Sequence, residues 1–265
     1  MSGNIAVAGC GRMGLGMLRA LKAAGFAAQG FDIRPIDEPD MLPDVAALKN
    51  HAEVLFTVVR DAPETDALLF DDQAVLRDNE KLQTLVICST LSPRYLETIA
   101  ERAPAHITLI DAPMSGAEIA ATERRLSFML GGNGDALDDL HPLLSAMGTR
   151  FHRMGGFGAG MSAKVLNNLV AASSVAATRT ALSWADELGL EPDRLLALMH
   201  DSSGQTWFGS QFERIEFARD GYTDDNTIGI LAKDVTAALH AVNREDHLLG
   251  KALIDVISAL EPRER

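Results

Sequence analysis

Ile5-Ala-Val-Ala-Gly9-Cys-Gly11-Arg-Met-Gly14 opens the chain with a short apolar run followed by three glycines in GxGxxG spacing. The apolar run reads as a strand, and the periodicity from about Met13 to Ala24 reads as a helix. Glycines at such a join let backbone N–H groups approach a phosphate, and the helix start adds the positive end of its dipole. A second apolar run, Ala27 to Asp32, ends in an acid 18 residues beyond Gly14, where a carboxylate accepts hydrogen bonds from an adenine ribose. Strand, glycine turn, helix, strand and acid in this order predict a βαβ unit that holds a dinucleotide. The residues read as its contacts are Gly9, Gly11, Arg12, Met13, Gly14, Asp32 and Arg34. Asp32 opposes a 2′-phosphate, because two anions would face each other. NAD is therefore expected, with NADP, which Arg34 would help to accommodate, less favoured.

Working outward, further strands are expected at Val54 to Val59, Thr84 to Cys88, Ile107 to Ile110 and Ser127 to Gly131, with helical patterns between most of them. That order predicts an α/β fold of the Rossmann type, doubly wound around a mainly parallel sheet, over residues 1–159. Four glycines fall in the six residues Gly155 to Gly160 and mark a hinge. Beyond it no strand pattern returns. Met161 to Leu188 reads as one helix of roughly 42 Å at a rise of about 1.5 Å per residue. Pro192 to His200, Ile228 to Val242 and Leu248 to Leu260 carry the same apolar periodicity, so residues 160–265 are expected to be an all-helical second domain joined by that long helix.

Composition narrows the function classes. Among 265 residues, 37 acidic side chains stand against 24 basic ones, a formal charge of −13 that repels nucleic acid and anionic lipid. An anionic substrate then needs a few well-placed cations and backbone N–H groups. Cys10 and Cys88, each within an apolar run, suit reduced buried thiols and hence a cytoplasmic protein. No basic-then-apolar leader and no run of about 18 apolar residues is present, so export and membrane anchoring are not expected. No His/Cys/acid cluster has ligand spacing, and no metal is expected. His200, ahead of the polar stretch to Trp207, is a rival acid/base by residue type.

Three further stretches carry chemistry. Asp111-Ala-Pro-Met-Ser115-Gly116-Ala117 follows a strand, in the crevice where open α/β sheets bind ligands; a hydroxyl and successive N–H groups there suit a carboxylate, although an ordinary turn fits the spacing as well. Asp111 is expected to tie this turn structurally. Gly158-Ala-Gly160-Met-Ser-Ala-Lys164-Val-Leu-Asn167-Asn168 places Lys164 and Asn168 four apart on one helix face amid small apolar residues. A lysine there costs burial energy with no evident packing gain, the alternative being one that snorkels to solvent. Lys233-Asp234 interrupts another apolar helix with an adjacent charged pair.

Taken together the four stretches resemble the β-hydroxyacid dehydrogenase family, which includes 3-hydroxyisobutyrate dehydrogenase and, more distantly, 6-phosphogluconate dehydrogenase; the resemblance runs from Ile5 to about Val242. Met13 matches the methionine of the family's glycine motif. The resemblance implies a substrate motif at Ser115, Gly116 and Ala117, the last replacing a frequent glycine, a catalytic lysine at Lys164 with Asn168 as its partner, and a Lys-Asp pair in which Lys233 faces substrate or cofactor. It also implies cofactor contacts from Val59 and from Thr90, within Ser89-Thr90-Leu-Ser-Pro93. Between Asp32 and Val54 the chain is shorter than is usual in the family. The implied reaction is hydride transfer between NAD and a small 3-hydroxy acid in a homodimer or homotetramer. Reduction of an oxo acid by the same residues, and a dinucleotide-binding protein without turnover, are the alternatives.

Overall fold

The computed structural model describes residues 3–264. Two compact units divide between Lys164 and Val165. The first opens with β1 (Ile5–Ala8), α1 (Arg12–Ala23), β2 (Ala28–Phe31), α2 (Val45–His51), β3 (Val54–Thr57), α3 (Ala62–Leu69) and β4 (Thr84–Ile87). It continues through α4 (Pro93–Arg102), β5 (Thr108–Asp111), β6 (Met114–Ser115), α5 (Ala117–Thr122), β7 (Leu126–Gly131), α6 (Gly134–Met147) and β8 (Gly148–Gly155).

The strands line up in the order β2-β1-β3-β4-β5-β7-β6, with β8 on β7. Pairing is parallel from β2 through to β5, then antiparallel where β7 meets β5 and β6, and parallel again between β7 and β8. Both faces of the sheet are buried, as the near-continuous apolar strands require. In β1, Ile5 and Val7 join one cluster with Met17, Leu18 and Leu21 of α1 and Leu140 and Leu144 of α6. Ala6 and Ala8 join the other, with Leu68 and Leu69 of α3 and Leu96 and Ile99 of α4. The fold is thus the doubly wound, mainly parallel α/β arrangement that the glycine motif predicted.

Two strands escape the sequence pattern. β8 reads Gly-Thr-Arg-Phe-His-Arg-Met-Gly and is mostly exposed, so its residues carry no buried alternation to announce a strand. Its arginines suit an edge, where charge discourages pairing with another chain. β6 is two residues long and turns the chain back at Pro113, giving the sheet its antiparallel end. Between β2 and β3 the short connection holds one seven-residue helix, α2.

Helix α7 (Ala159–Glu187) runs through the division, so Lys164 belongs to the first unit and Asn168 to the second. The second unit adds α8 (Pro192–His200), α9 (Trp207–Ser210), α10 (Thr227–Ala241) and α11 (Leu248–Ser258), with no strand among the described residues. Its core joins Ala172, Val175 and Leu182 of α7 to Phe208, Val235, Leu239 and Ile257. Arg179 is buried within this unit and donates to the carbonyls of Ala218, Asp220 and Glu261, so its five-donor fork ties α7 to the turn at 218–220 and to the segment after α11. No helix among the described residues is long and apolar enough to cross a membrane.

Candidate active site

The glycine turn between β1 and α1 is shaped by close backbone approach. Gly9 has φ +93°, and a Cβ there would lie 2.7 Å from the carbonyl of Val58 and 2.9 Å from the nitrogen of Val59. A Cβ on Gly14 would lie 2.0 Å from the carbonyl oxygen of Gly9, so the first turn of α1 packs on the loop itself. Gly11 differs. It caps α1 with φ −77°, and its nearest protein atom to a built Cβ is a guanidinium nitrogen of Arg34 at 3.7 Å. Among the described residues no atom requires a glycine at 11, whereas a phosphate drawn to the helix start does. The turn therefore fits the dinucleotide it was expected to hold.

Asp32 lies just beyond the end of β2 and accepts from the N–H of Cys10 at 2.9 Å, tying the middle of the glycine loop to the second strand. Its carboxylate also accepts from the N–H of Arg34 at 2.9 Å and from the Arg34 guanidinium at 3.2 and 3.3 Å. Burial pushes the Asp32 carboxyl up, but the Arg34 bonds and charge and the Cys10 N–H outweigh it, so it is held below its ordinary value. A charged acid thus stands where a ribose is expected, with Arg34 exposed beside it. Arg12 begins α1 and is exposed, and Met13 packs partly into the core. Val59 follows β3 beside Gly9, and Thr90 follows β4 after Ser89, whose buried hydroxyl oxygen has no hydrogen-bond partner. Burial pushes the Cys10 thiol up to about 11 and raises Cys88 as well; both are unpaired and suited to packing rather than reaction.

In the same unit, Lys164 donates from Nζ to Ser115 Oγ at 3.1 Å, across 49 residues of chain. Both the lysine and Ser115 are largely withdrawn from solvent, so Lys164 does not snorkel. Gly116 takes φ +139° and precedes α5, and a Cβ there would meet that of Ala120 at 2.3 Å. In the second unit, Asn168 donates from Nδ2 to Asp234 Oδ2 at 2.6 Å, and Lys233 Nζ lies 3.4 Å from Asp234 Oδ1. Asp234 is fully buried, so it fixes the amide face of Asn168 and anchors Lys233 at the same time. The sequence singled out both neighbours but assigned this acid no more than half of a charged pair. His200 is exposed at the end of α8. Among the described residues no group of three His, Cys, Asp or Glu could hold a metal ion.

Comparison with known proteins identifies relatives over most of the chain. Residues 4–156 match the family described as the NAD binding domain of 6-phosphogluconate dehydrogenase, and residues 158–252 match the NAD-binding region of NADP-dependent 3-hydroxyisobutyrate dehydrogenase. The chain is 28% identical over 249 residues to an L-threonate dehydrogenase of Cupriavidus necator, covering 90% of this chain and 83% of that one. It is 32% identical over 212 residues to a 3-hydroxyisobutyrate dehydrogenase of Pseudomonas aeruginosa, covering 77% and 71%. The 3-hydroxyisobutyrate dehydrogenase of Mycobacterium tuberculosis, solved with L-serine, shares the fold at TM-score 0.79 and 24% identity, over 98% of this chain and 97% of that one.

The open space at Gly11 gives a clean test. Gly11→Ala is expected to keep the fold, at a capping cost of no more than about 1 kcal/mol, and to weaken NAD binding about tenfold or more by obstructing the phosphate. Thermal unfolding and fluorescence titration with NAD measure the two; an unchanged Kd contradicts the cradle.

Proposed function

Because the chain belongs to the β-hydroxyacid dehydrogenase family, we propose that it is an NAD-dependent dehydrogenase of a small 3-hydroxy acid, of the 3-hydroxyisobutyrate or sugar-acid kind, with Lys164 as general acid/base. The observation that carries this reading is the 3.1 Å contact between Lys164 Nζ and Ser115 Oγ. It sets a proton-transfer group beside a hydroxyl and a turn suited to a carboxylate, in a chain whose overall charge repels anions.

In this reading the substrate carboxylate is held by Ser115 and the N–H groups of Gly116 and Ala117, and its hydroxyl faces Lys164. NAD, cradled by Gly9 to Gly14 with its adenine ribose on Asp32, supplies the hydride acceptor when bound. Lys164, as the neutral amine, takes the hydroxyl proton while the carbinol C–H bond opens and the carbonyl forms; in reduction it returns that proton to the carbonyl oxygen. Asn168, one turn further along α7, is assigned the orientation of the hydroxyl, with its amide pre-aimed by Asp234. Lys233 is assigned a positive charge toward substrate or cofactor. Thr90 and Val59 line the cofactor side. The protein contributes mainly position and polarity, the terms that dominate when a cofactor carries the redox chemistry.

Asp32 supports NAD over NADP: its charge is stabilised by Arg34 and the Cys10 N–H, and a 2′-phosphate would face it. The second unit exposes Trp184, Leu188, Leu190 and Val256, apolar surface that supports a homodimer or homotetramer. The two buried, unpaired thiols suit a reducing compartment, which supports the cytoplasm.

A panel of 3-hydroxy acids and sugar acids, L-threonate and 3-hydroxyisobutyrate among them, with NAD and NADP and with reduced nicotinamide followed by absorbance, tests the reading. Turnover with at least one acid and a higher kcat/KM with NAD are expected. Silence in both directions contradicts the enzyme, and equal or better efficiency with NADP contradicts the role of Asp32. Lys164→Ala is expected to keep NAD binding and lose about 10² to 10⁴ in turnover; near wild-type turnover contradicts its role. Sedimentation at the mass of one chain would count against the oligomer.

A further inference from the structure

In the first unit, Asp111 is a buried acid with no exposed surface at all. A charge taken out of water needs strong compensation. Here it comes from backbone N–H groups at the start of α7: Gly158 donates to Oδ1 at 2.7 Å and Met161 to Oδ2 at 2.5 Å, with Gly160 also contributing. These are donors that a helix start leaves without intrahelical partners, and the helix dipole favours an anion there. Burial pushes the carboxyl up and the N–H bonds draw it back down, with burial the larger effect.

The slot around this carboxylate is built by glycines. A Cβ on Gly131 would lie 2.1 Å from Asp111 Oδ1, and one on Gly160 would lie 2.9 Å from Oδ2. Gly131 is also the β7 residue paired with Asp111 in the sheet. The carboxylate therefore sits at a crossing of three backbones: β5, β7 and the entrance to α7. Four residues after it comes Ser115, on a segment held by Ala112 N–H to Ile87 O at 2.8 Å and Met129 N–H to Pro113 O at 3.0 Å. Three residues beyond Met161 comes Lys164. Asp111 is thus the cross-link between the segment that carries the hydroxyl and the helix that carries the amine.

We propose that Asp111 is a positioning residue for the proton-transfer pair, its carboxylate setting the first turn of α7 so that Lys164 Nζ meets Ser115. The proposal rests on the reading of Lys164 as acid/base. Asp111→Asn keeps the shape but replaces one acceptor oxygen with a donor that must face an N–H group. α7 is a hydrogen-bonded rod at this point, so a shift at Gly158 to Met161 is carried to Lys164, and displacements of about 1 Å are known to cost up to ~10² in rate.

The test compares wild type, Asp111→Asn, Lys164→Ala and the double variant, by kcat on whichever acid the panel identifies and by fluorescence titration with NAD. Asp111→Asn is expected to lower kcat about tenfold or more with unchanged NAD affinity, since Gly9 to Gly14 are untouched. Once Lys164 is already absent, adding Asp111→Asn is expected to lower kcat no further, the non-additivity of residues that act as one unit. An equal loss with and without Lys164, or a kcat per folded molecule that does not change, overturns the proposal and leaves Asp111 a fold element. Asp111→Ser, smaller and still an acceptor, serves as second variant; failure of both to yield folded, NAD-binding protein overturns it equally. If Lys164→Ala turns over normally, the acid/base reading fails and takes this one with it. If Lys164→Ala is inactive and Asp111→Asn is normal, only the present proposal fails.

Discussion

A carboxylate at the end of a strand, gripping the backbone at the start of a helix, is the constraint on which the rest of the first unit depends. Asp111 does this at the end of β5, where its two oxygens take N–H groups from Gly158 and Met161. Asp32 does it just past β2, where Oδ2 takes the N–H of Cys10 in the turn before α1. At Asp111 the helix start needs acceptors and the acid needs donors, so each compensates the other, whereas at Asp32 the donor is a loop N–H just ahead of the helix. The two differ in what remains available. Asp111 is wholly enclosed and has only the fold to act on, whereas Asp32 shares its carboxylate with the exposed guanidinium of Arg34.

The glycines follow from the same constraint. Gly131 and Gly160 leave the slot that Asp111 fills, and Gly9 and Gly14 let the first turn of α1 fold onto its own loop. Side chains at any of these four would strike backbone or carboxylate. Gly11 alone is free of such a requirement among the three glycines of the opening motif, which is why it speaks for a ligand rather than for packing.

Much of this was legible in the sequence, and for a physical reason. The opening βαβ unit is local: strand, turn, helix and acid lie within 28 residues, from Ile5 to Asp32, and each imposes its own residue types. Lys164 was conspicuous because a charged residue interrupts an apolar helix. The partners that give these residues meaning lie far away in the chain. Ser115 meets Lys164 across 49 residues, Asp111 meets Met161 across 50, and Asn168 meets Asp234 across 66, distances over which no periodicity carries information. Asp111 and Asp234 were accordingly read as a turn tie and as half of a charged pair. β8 was missed because an exposed edge strand with arginines lacks the alternation that marks a strand, and its pairing with β7 is a property of the sheet alone.

The amine of Lys164 is proposed to move the substrate proton. Rescue of Lys164→Ala by added small primary amines measures this directly. Methylamine and ethylamine are expected to restore turnover in proportion to the concentration of free base, with wild type indifferent to them. A variant that binds NAD normally yet gains nothing from any amine that fits would contradict the assignment, since the missing proton acceptor would then not be what limits it.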